Sequence, residues 1–337
     1  MKKLSEANAI AGYEDEVAHI LKEEFENRGL NVKIDDFGNV IAYKKITEKP
    51  LVIAAHMDEI GLSVKYIDKE GFIRFIKIGG IDDRILVNQK VVVKSKYGYL
   101  DGVIGVKPVH LKDNDEDTKI IKYRNMFIDI GARSRKECEK IGVEIGNPIF
   151  FKASFSTLLN NRFCGKALDD RIGCYILIKL ADFIEDNIVL LGTAQEEVSV
   201  FGKGAAIAAY NLEPKYFIAI DTSIAGDHPE IKEEEAPIRL DKGPVITLIE
   251  SGGIGNIANR KLVNDIIKIA KEHNIKYQIE SIEGGATDAA TVYNVKGGIP
   301  SIAICVPVRY IHSSVSVAST NDVNKCILLM KNVIKEL

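Results

Sequence analysis

The chain has 337 residues, of which 46% are hydrophobic and 28% charged, and its formal net charge is -3. This length allows about two domains with sizeable apolar cores. The nearly balanced charge, with no dense basic stripe, argues against nucleic acid or an acidic membrane surface as a partner, and no apolar run approaches the roughly 18 residues of a membrane span.

The N-terminal segment and the cysteines indicate where the protein works. The first sixteen residues, MKKLSEANAIAGYEDE, lack the long apolar core of a signal peptide. The chain has an odd number of scattered cysteines, and none forms a CxxC pair: Cys138, Cys164, Cys174, Cys305 and Cys326. A disulfide framework and a cysteine zinc knuckle are therefore disfavoured, and we expect a reduced, cytoplasmic location.

The first 60 residues combine one helix with short strands. Apolar residues at helical spacing predict a helix over 14–28, ended by Gly29. Strands are predicted at 31–35, 39–44 and 51–55, the last of them strongly apolar.

From about residue 67 to residue 163 the pattern changes to short alternating runs, such as 71–77, 89–94 and 102–106, separated by Gly, Asp and Asn. This pattern predicts a β-rich module with many hairpins.

Beyond residue 163 an alternation of helices and apolar strands returns. Helices are predicted at 171–182, 202–210 and 262–273, and strands at 187–194, 215–220, 276–282 and 301–307. Continuous apolar strands between helices indicate an α/β fold, a mixed sheet sandwiched by helices. We therefore predict one α/β domain, residues 1–66 and 164–337, interrupted by a β-rich insertion at 67–163.

Acidic and imidazole side chains follow four of the apolar strands. His56 and Asp58 follow the predicted strand 51–55, and Glu196 and Glu197 follow the strand 187–194. Asp221 follows the strand 215–220, and His312 comes after the strand 301–307. Sheets of this class place their sites at the carboxyl ends of strands, so we expect these side chains to meet.

His56 and Asp58 are two residues apart, so both side chains leave the same side of an extended segment. The His can bind a metal ion while Asp58 holds its other ring nitrogen. A single HxD is weak evidence by itself, because most surface histidines are simply solvated.

The paired Glu196 and Glu197 would, in isolation, be read as a solvated turn. Because they follow a buried strand directly, we expect them at the mouth of a cleft, where one can bind metal and its neighbour can act as a general base.

Asp169 and Asp170 can be read as a helix start, with acids at the positive end of the helix dipole. In the functional interpretation, Asp169 instead bridges two metal ions. Imidazole and carboxylate ligands together suit Zn²⁺, Co²⁺ or Mn²⁺.

The motifs HMDEIG, LDDRIG, AQEEV, IDTS and RYIHS occur in this order along the chain. In this order they resemble the tetrahedral (TET), glutamyl-aminopeptidase-like family of dinuclear metallopeptidases, over nearly the whole chain. The insertion, with VIGVKPVHL and FIDIGARS, looks like that family's dimerisation domain.

The resemblance implies specific roles. His56, Asp169 and Asp221 would hold one metal, and Asp169, Glu197 and His312 the other, with zinc or cobalt as the ions and manganese also possible. Glu196 would be the general base and Asp58 the residue that orients His56. The family's members are aminopeptidases acting on peptides, which assemble as dimers and then as dodecamers.

Two loops depart from the family pattern. EEVSVFGKGA has Ser199 in place of a glycine and two extra residues, and the GGTDA motif appears as Gly284-Gly285-Ala286-Thr287-Asp288, one residue longer. We expect both loops to border the substrate, with Gly285 and Thr287 as contacts. Arg309 and Tyr310 would help to shape the same site, although a surface Arg and a packed Tyr explain them equally well.

In the predicted mechanism two metals lower the pKa of a water, which Glu196 deprotonates as it attacks the scissile carbonyl. The free α-amino group of the substrate would bind a metal or a nearby acid. Two alternatives stay open: another di-metal amide hydrolase, such as a deacylase or carboxypeptidase, and a catalytically silent, oligomeric peptide-binding homologue.

Overall fold

The computed structural model describes residues 1–111, 120–198, 203–252 and 255–337. By their contacts the residues divide into two compact units. The first unit contains Met1–Glu59, Phe155–Ile311 and Val315–Leu337, and the second contains Ile60–Ser154 and His312–Ser314. Ser199, which departs from the family pattern, lies outside the described residues.

The unit boundaries differ from the predicted 66/67 and 163/164 divisions. Strand β4 (Gly61–Ile67) pairs with β5 (Ile73–Ile78) of the second unit, so that unit begins earlier. Strands β10 (Ser156–Leu158) and β11 (Arg162–Gly165) pair with each other in the large sheet of the first unit, so the second unit also ends earlier. Hydrogen bonding to distant strands, rather than local composition, decides both boundaries.

The described helices of the first unit are α1 (Lys2–Glu6), α2 (Asp15–Glu26), α4 (Leu168–Leu180), α5 (Lys203–Leu212), α6 (Arg260–Glu272), α7 (Asp288–Tyr293) and α8 (Thr320–Glu336). The helices predicted at 14–28, 171–182, 202–210 and 262–273 correspond to α2, α4, α5 and α6. The sequence pattern predicts no element for residues 320–336, which form α8.

The remaining strands of the first unit are β1 (Asn31–Ile34), β2 (Val40–Tyr43), β3 (Leu51–His56), β12 (Ile188–Thr193), β13 (Tyr216–Ile224), β14 (Val245–Glu250), β15 (Asn256–Ile257), β16 (Gln278–Ile282), β17 (Ser301–Arg309) and β18 (Ser316–Ser319). Together with β10 and β11 they form a 12-stranded sheet. Its centre is β12-β3-β13-β17, whose neighbouring strands are parallel.

The central strands are buried on both faces. In β3, Leu51, Ile53 and Ala55 belong to the core cluster that contains residues of α2, α4, α6 and α8. Val52 and Ala54, which point the other way, belong to the cluster that contains residues of α5 and α7. The continuous apolar run of β3 therefore has helices on both sides, as predicted.

The second unit is a small closed β-barrel. Its strands follow the order β4-β5-β8-β7-β6-β9, where β6 is Lys90–Ser95, β7 is Gly98–Gly105, β8 is Phe127–Asp129 and β9 is Pro148–Phe151. A helix, α3 (Arg135–Lys140), precedes β9, and the Ser134 hydroxyl caps its N-terminus by accepting the Glu137 N–H. An independent apolar cluster fills this unit.

Among the described residues, no helix combines the length and the apolar character that spanning a bilayer requires.

Candidate active site

His56 is the last residue of β3, and its side chain is only 3% exposed. Its Nε2 lies 3.2 Å from Asp169 Oδ1. On the other side of the ring, Nδ1 lies 3.1 Å from the backbone oxygen of Asp58 and 3.5 Å from Asp58 Oδ1. The imidazole is therefore fixed between the two acids that the sequence predicts as its neighbours.

Asp58 is fully buried and connects the ends of two strands. Its Oδ1 accepts the Glu196 N–H at 3.0 Å, and its Oδ2 accepts the Glu197 N–H at 2.9 Å. The carboxylate thus holds the backbone that follows β12 against the end of β3. Glu196 and Glu197 themselves are half-buried, as expected for side chains at the mouth of a cleft.

The adjacent Asp169 and Asp170 have different surroundings. Both have non-helical backbone angles at the beginning of α4. Asp170 is fully buried, and its Oδ1 accepts the Gly173 N–H at 2.9 Å, as a helix cap does. Asp169 lies beside His56 instead. The helix-start reading therefore applies to Asp170, and the metal-bridging role of Asp169 remains a prediction.

Three of the predicted ligands come together within the first unit. His56, Asp169 and Asp221 each offer one ligand atom, and these atoms all lie within 4.8 Å of one another. The parallel pairing of β13 with β3 aligns Ala219 with Ala54, which brings Asp221 level with His56. A carboxylate oxygen of Glu197 also lies within 4.8 Å of one of Asp169.

His312 follows β17 in the chain, and its contacts assign it to the second unit. There its Nδ1 lies 2.8 Å from the backbone oxygen of Gly80. Its role as a metal ligand remains a prediction.

The cluster concentrates negative charge in a buried place. Burial raises the pKa of Asp221 well above its ordinary value, and the charges of Asp169 and Asp170 raise it further. Burial also raises the pKa of Glu196, against the opposing influence of His56. Among the described residues of this cluster, carboxylates outnumber the single imidazole of His56, so a divalent cation would fit the site, and the imidazole and carboxylate donors suit Zn²⁺, Co²⁺ or Mn²⁺.

The model of one protein family matches residues 38–329, most of the chain, and it describes the M42 glutamyl aminopeptidase. The chain belongs to this family. It is therefore a hydrolase that acts on peptide bonds.

Individual proteins match over nearly their full length. The chain is 36% identical to a lysyl aminopeptidase of Pyrococcus furiosus over 347 residues, covering 100% of this chain and 96% of the relative. A TET aminopeptidase of Thaumarchaeota archaeon SCGC AB-539-E09 is 37% identical, with a TM-score of 0.94 and coverage of 100% and 95%. The TET1 peptidase of Pyrococcus horikoshii is 34% identical, with a TM-score of 0.90 and coverage of 100% and 98%. These likenesses confirm the predicted fold class.

The residues predicted to contact substrate have partners within the M42 fold. Arg309 donates two hydrogen bonds to Asp227, at 2.9 and 2.7 Å, and the Tyr310 ring lies 5.1 Å from that of His228. Thr287 caps α7 through its hydroxyl. Gly285 has a φ of +74°, a conformation that favours glycine. Their roles in binding substrate remain predictions.

Two acids near the cluster were not assigned a role from the sequence. Asp288 is buried, its Oδ2 accepts the Thr193 hydroxyl at 2.6 Å, and burial raises its pKa to about 6. Glu14 is 7% exposed, and its Oε1 accepts the Gln195 N–H at 3.0 Å. The motif that ends at Asp288 could have indicated that this acid lies near the site, whereas nothing in the sequence pattern connects Glu14 with residue 195.

Proposed function

We propose that the protein is a metal-dependent aminopeptidase that releases N-terminal residues from peptides. The observation that carries this proposal is the buried group His56, Asp169 and Asp221, with Glu196 and Glu197 fastened beside it through Asp58. Membership of the M42 family supports the same reaction class.

Two divalent ions, zinc or cobalt with manganese as a further candidate, would occupy the site. His56, Asp169 and Asp221 would hold one ion, and Asp169, Glu197 and His312 the other, so that Asp169 is shared. When bound, the ions would supply Lewis acidity and lower the pKa of a water in the site. Asp58 would orient His56 through its ring Nδ1, from which Asp58 Oδ1 lies 3.5 Å away.

Glu196 would act as the general base. Its buried surroundings raise its pKa and thereby its affinity for a proton. It would take a proton from the attacking water as the C–O bond forms, and deliver that proton to the leaving amine as the C–N bond breaks. The backbone amides of Glu196 and Glu197, both held by Asp58, would keep this carboxylate at a fixed position.

The substrates would be peptides with a free N-terminus, and Arg309, Tyr310, Gly285 and Thr287 would lie near them. The Pyrococcus horikoshii relative can assemble into a tetrahedron or a large octahedral shell. We propose a homo-oligomer, built from dimers that use the β-barrel and extending to a dodecamer. All five cysteines are free thiols, which supports a reducing, cytoplasmic location.

The test is hydrolysis of aminoacyl chromogenic substrates and short peptides after the metal has been removed with a chelator. Zinc, cobalt and manganese are then added back separately. We expect metal-dependent release of N-terminal residues and none from the same peptides with acetylated N-termini. Release from the acetylated peptides, or from the C-terminus, would instead indicate a deacylase or a carboxypeptidase. No release with any metal, although metal is bound, would contradict the proposal.

A further inference from the structure

The turn that follows β12 has an unusual anchor. Three successive backbone amides, those of Gln195, Glu196 and Glu197, all donate to buried carboxylates. Glu14 Oε1 accepts the first at 3.0 Å, and the two oxygens of Asp58 accept the second and third at 3.0 and 2.9 Å. Two acids that lie far from this turn in the sequence therefore determine its conformation.

At Gln195 these hydrogen bonds hold the backbone in a conformation that it does not prefer. Its φ is +63°, in the left-handed region that residues with a Cβ seldom adopt. A conformation of this kind persists only where the surroundings impose it. The bond from the Gln195 N–H to Glu14 is such a constraint, and it acts immediately before the carboxylate proposed as the general base.

Glu14 is itself held firmly. Its Oε1 also accepts the Gly12 N–H at 2.7 Å, and Glu14 directly precedes α2. The chain before it is fastened as well, because Glu59 Oε1 accepts the Ala9 N–H at 3.2 Å and Arg171 donates to the backbone oxygens of Leu4, Ala7 and Ala9. The N-terminal segment is therefore fixed by these hydrogen bonds and can support the turn.

We propose that Glu14 is a positioning residue, which fixes Gln195 and thereby aims the Glu196 carboxylate. This inference rests on the proposed function, in which Glu196 is the base. Glu14 acts through the backbone and does not contact substrate. It follows that the first fourteen residues, which lie outside the strands that carry the ligands, belong to the support of the active site.

The test compares Glu14→Ala, which removes the acceptor, with Glu14→Gln, whose side-chain oxygen can still accept both N–H groups. Glu26→Ala, an exposed acid at the end of α2, is the matched control. Hydrogen exchange of the peptide that contains residue 195 is measured for all three, together with kcat, KM, bound metal and Tm.

We expect Glu14→Ala to speed exchange around residue 195 and to lower kcat by about tenfold or more, since misplacing a catalytic group has a large effect on rate. KM should stay within about twofold and bound metal should be unchanged, because the residue is not a ligand. Glu14→Gln should restore slow exchange and most of kcat, and Glu26→Ala should resemble the wild type.

Unchanged exchange around residue 195 in Glu14→Ala would overturn the proposal, because it would show that the bond does not hold the turn. A lower Tm with wild-type kcat would also overturn it, since Glu14 would then be purely structural. The exchange measurement needs no turnover. A chain without aminopeptidase activity would therefore refute the proposed function, while exchange would still report on the anchor.

Discussion

Two buried charge clusters lie side by side in the first unit, and they differ in how their charge is balanced. In one, Glu59 Oε1 accepts hydrogen bonds from Lys166 at 2.6 Å, from Arg171 at 3.3 Å and from the Ala9 N–H. The Arg171 guanidinium is fully buried, and its remaining hydrogen bonds go to the backbone oxygens of Met57, Leu4, Ala7 and Ala9. The buried carboxylate of Glu59 therefore has two cationic partners and does not lack a counter-charge.

The other cluster is the candidate active site, where carboxylates outnumber cationic groups. Asp58 and Glu59 are neighbours in the chain, as are Asp170 and Arg171, yet one member of each pair belongs to each cluster. Burial of charge alone is therefore no sign of function in this protein. The distinguishing feature is the excess of carboxylates over cationic groups among the described residues of the cluster; besides burial, the charges of Asp169 and Asp170 raise the pKa of Asp221.

The largest expected effect is at the candidate active site. Glu196→Gln should lower kcat about 10³-fold, because the amide cannot accept the proton from water. Bound metal should not change, since Glu196 is not a proposed ligand. Steady-state kinetics and metal analysis check this, with the exposed Glu185→Gln as control. A variant that retained a near wild-type rate would remove Glu196 from the mechanism.

At the cluster around Glu59 we expect a loss of stability instead. Lys166→Met leaves buried Glu59 without its shortest ion pair, and breaking such pairs lowers the free energy of unfolding by about 3 kcal/mol or more. Unfolding by denaturant measures this loss of free energy.

The matched control is Lys152→Met. It removes a pair with Asp101 of the same 2.6 Å length, but its side chains are 51% and 73% exposed. This loss should stay below about 1 kcal/mol, because solvent screens exposed pairs. Equal losses from the two variants would contradict the distinction between buried and exposed charge.

A smaller effect is expected at Glu250, a buried acid outside the predicted ligand set. Burial raises its pKa from 4.5 to about 7. The folded chain therefore binds this proton more tightly than the unfolded chain does. The resulting stabilisation is complete below the unfolded pKa and is lost as the pH rises through about 7.

Between pH 5 and pH 8 the free energy of unfolding of the wild type should thus fall by on the order of 2 kcal/mol more than that of Glu250→Gln. The amide oxygen of Gln can still accept the Thr287 N–H that Glu250 accepts at 2.9 Å. Thermal unfolding at both pH values tests this, with the exposed Glu272→Gln on α6 as control. If the stability of Glu250→Gln depends on pH as that of the wild type does, other titrating groups cause the dependence.

The sequence alone determined the central sheet and the main acids of the site. The run 51–55 of β3 is apolar at every position, which requires cover on both faces, and a polar residue follows where this run ends. Because the carboxyl ends of parallel strands share one edge, the positions of His56 and Asp221 at the ends of apolar runs are enough to predict that they meet, although β13 itself continues to Ile224.

Tertiary structure decided what spacing cannot express. The sequence does not distinguish the two adjacent acids Asp169 and Asp170. Only the folded chain shows that Asp169 lies beside His56 and that Asp170 caps α4. Glu14 and Gln195 are separated by 181 positions. Local periodicity records which face a side chain takes, whereas hydrogen-bond partners so far apart are chosen by packing.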